Sequence, residues 1–197
     1  SPAYTAPKIL WLREQEPQHF ARLRHLLLAQ DYIRYKLTGE VATDFSDAAG
    51  TILFDVGRRT WSKRILKALD LDPDILPPVV SSHEVCGEVT RAAAETTLLR
   101  AGTPVVGGGA DNACAAVGAG IIEEGAVQVS IGSSGVVLAA LASHRVDERL
   151  RLHCMNHAAP NRWYTMGVML TAGLSFKWFR DSFCNEESER AKSEGRD

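Results

Sequence analysis

The densest set of residues that could do chemistry lies between Thr103 and Gly120, where a short apolar run meets three consecutive glycines. Asp111 and Asn112 follow the glycines directly, and the small residues after them have the composition of a helix. Glycine tolerates positive φ and lets a second backbone or a ligand approach closely. The pattern therefore predicts a strand, an open turn and an aspartate at a helix N-terminus, where α/β proteins place ligands.

Asp111 has two interpretations. As a helix N-cap, its carboxylate would accept hydrogen bonds from the N–H groups of the first turn. As a functional group, it would be kept ionised by the positive end of the helix dipole, with open space in front of it to accept a proton from a substrate hydroxyl. The three glycines argue for the second interpretation, because an N-cap does not require them. The pattern alone leaves both open.

A second candidate site is the segment 132–135, Gly-Ser-Ser-Gly, which joins strand-like runs at 126–131 and 136–141. Two such runs around a short Gly-containing segment predict a β-hairpin. The turn could be an ordinary one, because Gly and Ser are common turn residues. It could also bind phosphate, because successive backbone N–H groups and serine hydroxyls form an anion nest. No Gly-Lys-Ser/Thr follows, which excludes a Walker A loop.

Metal and disulfide chemistry are not indicated. His153 and His157 could form a metal pair, but the sequence offers no evident third ligand. The cysteines are widely spaced and form no Cys-x-x-Cys pair, which argues against a zinc site and a disulfide framework and favours a reducing cytoplasm. They are Cys86, Cys114, Cys154 and Cys184.

Length, composition and charge limit the function class. The chain has 197 residues, enough for one domain or parts of two. Its 45% hydrophobic and 23% charged residues are typical of a soluble globular protein. A net charge of −2 argues against a nucleic-acid surface. No apolar run approaches a membrane span, and the N-terminus does not have the pattern of a signal peptide.

The remaining pattern predicts the elements that must position these residues. The predicted helices are 7–15, a single helix from 17 to a stop at Gly39, 63–69 after an N-cap at Ser62, 91–100 after an N-cap at Thr90, and 172–183. The predicted strands are 85–89, 150–156 and 162–169, and residues 39–51 are predicted to be a loop with a capped turn. Gly173 permits close approach to the hairpin turn or to a ligand. The charged tail from 185 is expected to fray.

Three separated segments together resemble the FGGY family of carbohydrate kinases. Residues 5–15 resemble the first family signature, and 107–112 resemble the block that holds the family's catalytic aspartate. Residues 130–135 resemble the family's Gly-Thr-Ser-Gly phosphate loop, with Ser133 in place of threonine. Residues 43–51 and 153–157 are most similar to the branch of the family that phosphorylates xylulose. The ordered set is specific, although each segment alone would not be.

The resemblance implies an α/β fold of the actin/hexokinase-like (ribonuclease H-like) class, with two domains and with sugar and ATP in the cleft between them. Residues 1–124 would form the later part of the N-terminal sugar-binding domain, and 125–197 the start of the C-terminal ATP-binding domain. The family's Asp-x-Gly-Thr phosphate hairpin and its later adenosine-binding segment are not found in these residues. We therefore expect an internal fragment that is inactive alone.

The resemblance also implies an ATP-dependent cytoplasmic kinase that uses Mg²⁺ and converts D-xylulose to D-xylulose 5-phosphate. Asp111 would be the general base and would bind the sugar together with Asn112, and no residue would ligate a metal. The nucleotide would be bound by Gly132, Ser133, Ser134, Gly173 and Lys177, the last in place of the usual glutamine. The partners would be a small-molecule sugar and a nucleotide, not nucleic acid or a membrane. The resemblance leaves open whether the protein forms a homodimer. The alternatives are another FGGY kinase, acting on ribulose, gluconate or glycerol, and a non-catalytic actin-like interaction module.

Overall fold

The computed structural model describes residues 4–196 and shows a mixed α/β arrangement. Within those residues no helix is long and apolar enough to cross a membrane. The helices are α1 (Thr5–Gln15), α2 (Pro17–Phe20), α3 (Ala29–Thr38), α4 (Phe45–Ala49), α5 (Lys63–Leu69), α6 (Arg91–Thr97), α7 (Asp111–Gly118), α8 (Gly173–Phe183) and α9 (Asn185–Ser193). The strands are β1 (Thr43–Asp44), β2 (Phe54–Asp55), β3 (Thr60–Trp61), β4 (Val79–Val80), β5 (Val85–Glu88), β6 (Pro104–Val106), β7 (Val127–Ile131), β8 (Gly135–Leu141), β9 (His153–Asn156) and β10 (Trp163–Met169).

The largest sheet is antiparallel, with the strand order β7-β8-β10-β9. Strands β7 and β8 form the predicted hairpin, with Ile131 opposite Gly135. Because side chains alternate between the two faces of a sheet, Leu138, Ala140 and Tyr164 lie on one face, and all three are buried. Three two-stranded pairs complete the strand pairing: β1 with β4 in parallel, and β2 with β3 and β5 with β6 antiparallel.

Helix α7 and the buried face of this sheet contribute residues to one core cluster. The small residues Ala113 and Ala116 of α7 are completely buried and belong to this cluster with Leu138 and Tyr164. The dispersion contacts within this densely packed cluster stabilise the arrangement. This core contains residues from both sides of position 124, so it does not locate a domain boundary, and the boundary at 124/125 stays a prediction.

Most predicted caps are confirmed. The Ser62 hydroxyl accepts a hydrogen bond from the N–H of Ile65 (3.4 Å), and the Thr90 hydroxyl accepts one from Ala93 (3.1 Å). Asp44 caps α4 in the predicted capped turn, and Gly39 ends α3 at a φ of 79°. These interactions lie within a few residues of each other in sequence, which is why the pattern indicates them.

The single helix predicted from residue 17 to Gly39 is wrong. Helix α2 ends at Phe20, and 21–28 form a non-helical connection before α3. Two contacts hold this connection: the N–H of Leu26 donates to the carbonyl of Ile75 (2.7 Å), and that of Leu28 donates to the Asp31 carboxylate (3.0 Å). Helix α6 also stops at Thr97 instead of residue 100, and the tail expected to fray forms α9.

Candidate active site

Asp111 is the first residue of α7, and the residue before it, Ala110, is the N-cap. The carboxylate Oδ1 accepts hydrogen bonds from the backbone N–H (2.7 Å) and the side-chain Nδ2 (3.1 Å) of Asn112. The other oxygen, Oδ2, makes no hydrogen bond within residues 4–196, and the residue is exposed. Asp111 is therefore not the N-cap, and its carboxylate keeps one oxygen available at the helix N-terminus.

The glycines before Asp111 are required by the protein itself. A Cβ on Gly107 would lie 2.6 Å from the carbonyl oxygen of Ser81, which is closer than real Cβ atoms approach backbone. Gly108 has a φ of +78°, in the left-handed region that favours glycine. The glycine run is explained by this close packing, so it is not by itself evidence of a ligand.

A buried carboxylate that the sequence analysis did not single out organises this region. Asp44 is completely buried and lies at the junction of β1 and α4. Its oxygens accept hydrogen bonds from Gln30 Nε2 (2.9 Å), Ser46 N (2.8 Å), Ser46 Oγ (2.6 Å), Asp47 N (3.1 Å) and Ser82 Oγ (2.8 Å). The capped-turn pattern predicts the contacts to residues 46 and 47. It carries no signal for Gln30 or Ser82.

A buried arginine, Arg34, also holds the glycine run through a hydrogen bond to the carbonyl of Gly107. Arg34 donates to the carbonyl oxygens of Gly107 and Ala42 and forms an ion pair with Asp31 at 2.8 Å. A buried guanidinium needs several acceptors, because leaving it unpaired costs several kcal/mol, on the order of 3–5. Arg34 thus ties α3 to the chain that leads into Asp111.

Asp111 lies near other ionisable side chains with which it interacts electrostatically. Burial, together with the smaller effect of the charges of Asp44, Asp31 and Asp111, raises the pKa of Asp47 to about 6, whereas Arg34 opposes the shift. Burial also raises the pKa of the Tyr164 hydroxyl, with smaller contributions from the charges of Asp111, Asp44 and Asp47. The charge of Asp111 at the start of α7 therefore acts on both Asp47 and Tyr164.

The hairpin turn 132–135 packs on the start of α8. The N–H of Gly173 donates to the carbonyl of Gly132 (2.9 Å), and the N–H of Ala172 donates to that of Ser133 (2.8 Å). A Cβ on Gly173 would lie 2.5 Å from the Gly132 carbonyl oxygen, so this glycine permits close approach to the turn. The N–H groups of Ser133 and Ser134 have no partner within residues 4–196. They are exposed and available to an anion.

The sugar-site candidates lie on α7, and the nucleotide-site candidates lie on the hairpin turn and α8. No hydrogen bond in the described part of the chain joins Asp111 or Asn112 to the turn or to α8. Lys177 is exposed on α8 one turn beyond Gly173, and it makes no ion pair among residues 4–196. The structure therefore brings Gly132, Ser133, Ser134 and Gly173 together directly.

His157 has a structural environment. Its Nδ1 accepts a hydrogen bond from the N–H of Ala159 (2.9 Å), so Nε2 carries the proton and donates to the carbonyl of Ile121 (2.9 Å). Burial lowers the pKa of this imidazole. His153 instead lies beside the hydroxyl of Tyr4 (3.3 Å). Among residues 4–196 no group of three or more His, Cys, Asp or Glu side chains is placed to hold a metal ion, and the cysteines are free thiols.

The sequence and the fold are both similar to those of known sugar kinases. Xylulose kinase from Bacillus subtilis is 43% identical over 94% of this chain and 37% of its own length. Xylulose kinase from Escherichia coli is 40% identical over 90% of this chain and 36% of its own. The chain thus spans little more than a third of the length of these curated relatives.

The solved structures agree with the sequence matches. A xylulose kinase from Rhodospirillum rubrum superimposes with a TM-score of 0.89 at 29% identity, covering 98% of this chain and 39% of that one. A xylulose kinase from Brucella ovis superimposes with a TM-score of 0.86 at 38% identity, covering 91% of this chain and 37% of that one. The expected actin/hexokinase-like fold class is confirmed. The profile for the N-terminal domain of these kinases matches residues 1–118, more than half of the chain. The chain therefore belongs to the FGGY family of carbohydrate kinases.

Proposed function

We propose that this chain is part of an ATP-dependent kinase that phosphorylates D-xylulose to D-xylulose 5-phosphate. The curated relatives that are about 40% identical to it are named xylulose kinases. Because the chain spans about 37% of their length, the proposal concerns a longer protein that contains these residues. The observation that carries it is the exposed Asp111 carboxylate at the start of α7, with Oδ2 available.

Asp111 acts as the general base. Its Oδ2 accepts the proton of the sugar hydroxyl whose oxygen attacks the γ-phosphorus of ATP, and the bond from that phosphorus to ADP breaks. Phosphoryl transfer depends mainly on positioning and charge stabilisation, so a weakly basic carboxylate is sufficient. Asn112 Nδ2 already holds Asp111 Oδ1, and its amide oxygen binds a sugar hydroxyl.

The hairpin turn binds the phosphates of ATP. The N–H groups of Ser133 and Ser134, together with their hydroxyls, form the anion site, and the exposed Gly132 lets the phosphate approach the backbone. Gly173 acts through the turn, because its N–H is already used by the Gly132 carbonyl. Lys177 adds a positive charge one helical turn away. No residue among 4–196 is assigned to Mg²⁺, which would enter bound to the phosphates.

Coupled measurement of ADP release tests this proposal in a full-length kinase containing these residues. D-xylulose is expected to give the highest kcat/KM among D-xylulose, D-ribulose, gluconate and glycerol. Asp111→Asn should lower kcat by about 10²–10⁴-fold with a smaller change in the KM for sugar. A higher kcat/KM for another sugar would reassign the substrate. If none of the four compounds causes ADP release, the alternative of a non-catalytic interaction module is favoured.

A further inference from the structure

A chain of hydrogen bonds runs from the buried Asp44 carboxylate to the residue before Asp111. Ser46 Oγ donates to Asp44 Oδ2 at 2.6 Å and accepts from the backbone N–H of Ala110 at 2.9 Å. Ser46 is 2% exposed and Asp44 is 0% exposed, so water does not compete for these bonds. We infer that Ser46, oriented by Asp44, is a positioning residue for Asp111. This inference rests on the proposed function.

The direction of each bond in the chain is fixed by its chemistry. An ionised carboxylate can only accept hydrogen bonds, so the Ser46 hydroxyl must donate its single proton to Asp44. The lone pairs of Ser46 Oγ then face Ala110, whose N–H can only donate. A hydrogen bond to an ionised group is shorter and stronger than one between neutral groups. The hydroxyl is therefore held in one orientation, and Ala110 is held with it.

The contact provides an acceptor for the backbone N–H of the N-cap residue of α7. The first N–H groups of a helix have no partner inside the helix, and the alanine at the N-cap has no side-chain acceptor. The Ala110 N–H finds its acceptor on α4, 64 residues earlier in the sequence. Because Asp111 follows Ala110 directly, this bond sets the backbone from which the Asp111 carboxylate projects.

Asp44 also holds the other elements around the glycine run. Gln30 reaches it from α3 at 2.9 Å, and Ser82 reaches it at 2.8 Å. The carbonyl oxygen of Ser82 in turn accepts a hydrogen bond from the N–H of Gly108 at 2.9 Å. The backbone at Gly108, inside the glycine run, and at Ala110, directly after it, is thus linked to the Asp44 carboxylate through Ser82 and Ser46. A shift of about 1 Å in a reacting group can cost about 10²-fold in rate.

The test compares Ser46→Ala with Ser62→Ala in the full-length kinase. Ser62 is a matched control, because its hydroxyl also accepts a helix N-terminal N–H, from Ile65, but in α5. Ser46→Ala is expected to lower kcat by about 10- to 100-fold with the KM for ATP changed less than about twofold. Ser62→Ala should leave both near the wild-type values. If Ser46→Ala does not fold, Ser46→Cys keeps the size with a weak acceptor and enters the same comparison.

A double-mutant cycle separates positioning from a general structural effect. If Ser46 acts through Asp111, Ser46→Ala should cause no further loss of kcat in the Asp111→Asn background. An equal loss in both backgrounds, or a normal kcat in Ser46→Ala beside an impaired Asp111→Asn, would overturn the positioning role alone. A normal kcat in Asp111→Asn itself would overturn the proposed function, and with it the role of Ser46.

Discussion

Replacing Asp47 by asparagine is expected to increase the free energy of unfolding at pH 7.5. Asp47 is half-buried, and its carboxylate has the negative charges of Asp44 and Asp111 nearby. Burial and these charges raise the pKa of Asp47 from 3.8 to about 6. At neutral pH the folded protein must therefore keep an unfavourable negative charge that asparagine would not carry.

The size of the effect follows from that shift. A rise from 3.8 to about 6 is about two pKa units, and each unit corresponds to about 1.4 kcal/mol. The ceiling is therefore about 3 kcal/mol. Because Asp47 keeps some contact with solvent, which screens its charge, we expect about 1–2 kcal/mol.

The sign of the pH dependence is also fixed. The folded state holds the proton more tightly than the unfolded state, so it binds more protons between about pH 4 and 6. The wild-type protein loses this stabilisation as pH rises through that window, and the penalty is complete above about pH 6. The stability difference between Asp47→Asn and wild type should therefore be smallest near pH 4.5 and largest near pH 7.5.

Urea unfolding followed by tryptophan fluorescence at pH 4.5, 6 and 7.5 measures this difference. Asp70→Asn is the matched control: it removes the same charge at an exposed position whose left-handed backbone asparagine tolerates. That variant should stay within about 0.5 kcal/mol of wild type at each pH. A difference for Asp47→Asn that does not change with pH, or a less stable variant at pH 7.5, would refute the electrostatic argument.

Three further predictions concern the hairpin turn and the buried imidazole. Ser133→Ala in the full-length kinase should raise the KM for ATP or lower kcat by about 10- to 100-fold, and steady-state kinetics should show an unchanged KM for sugar. Gly173→Ala should destabilise the protein by about 1–3 kcal/mol in urea unfolding, because the added Cβ would clash with the Gly132 carbonyl oxygen. Gly118→Ala is the control and should not lower the free energy of unfolding, because a Cβ at Gly118 would lie in open space. The lowered pKa of His157 means that its stability contribution is complete above about pH 6.5 and declines as pH falls. His157→Gln should remove this decline in the free energy of unfolding, measured by urea unfolding from pH 4.5 to 7.5. A variant with the same pH dependence as the wild type would contradict the prediction.

The parts of the fold that the sequence predicts are those held by local interactions. The hairpin at 132–135 and the caps at Ser62 and Thr90 depend on residues at most a few positions apart, so pattern and composition are sufficient. Helix α8 is predicted to within one residue, because its apolar spacing continues to its end.

The parts that the sequence does not predict depend on distant partners. The break between α2 and α3 is held by a hydrogen bond from the N–H of Leu26 to the carbonyl of Ile75. The apolar residues of this segment have helical spacing, so the sequence pattern predicts a helix there instead of a break. The Asp44 network joins residues 14, 38 and 64 positions apart. A sequence pattern gives Asp44 the role of a local cap, and only the folded chain shows that Gln30 and Ser82 bond to it and that Ala110 is linked to it through Ser46. The positions of Asp111 and Ser133 are predicted as motifs, whereas their support is visible only in the structure.

The core under α7 has a consequence for how the protein can be divided. Ala113 and Ala116 have no exposed surface, and they belong to one core cluster with Leu138 and Tyr164 of the large sheet. Expressing residues 1–124 alone would open this packed interior to water, and the remainder would lose the apolar residues of α4 and α7 that share the core of its sheet. Exposing these buried apolar side chains to water would remove the favourable free energy of their burial in both halves at once. The two halves are therefore expected to melt as one cooperative unit, and neither should be soluble and folded when expressed separately.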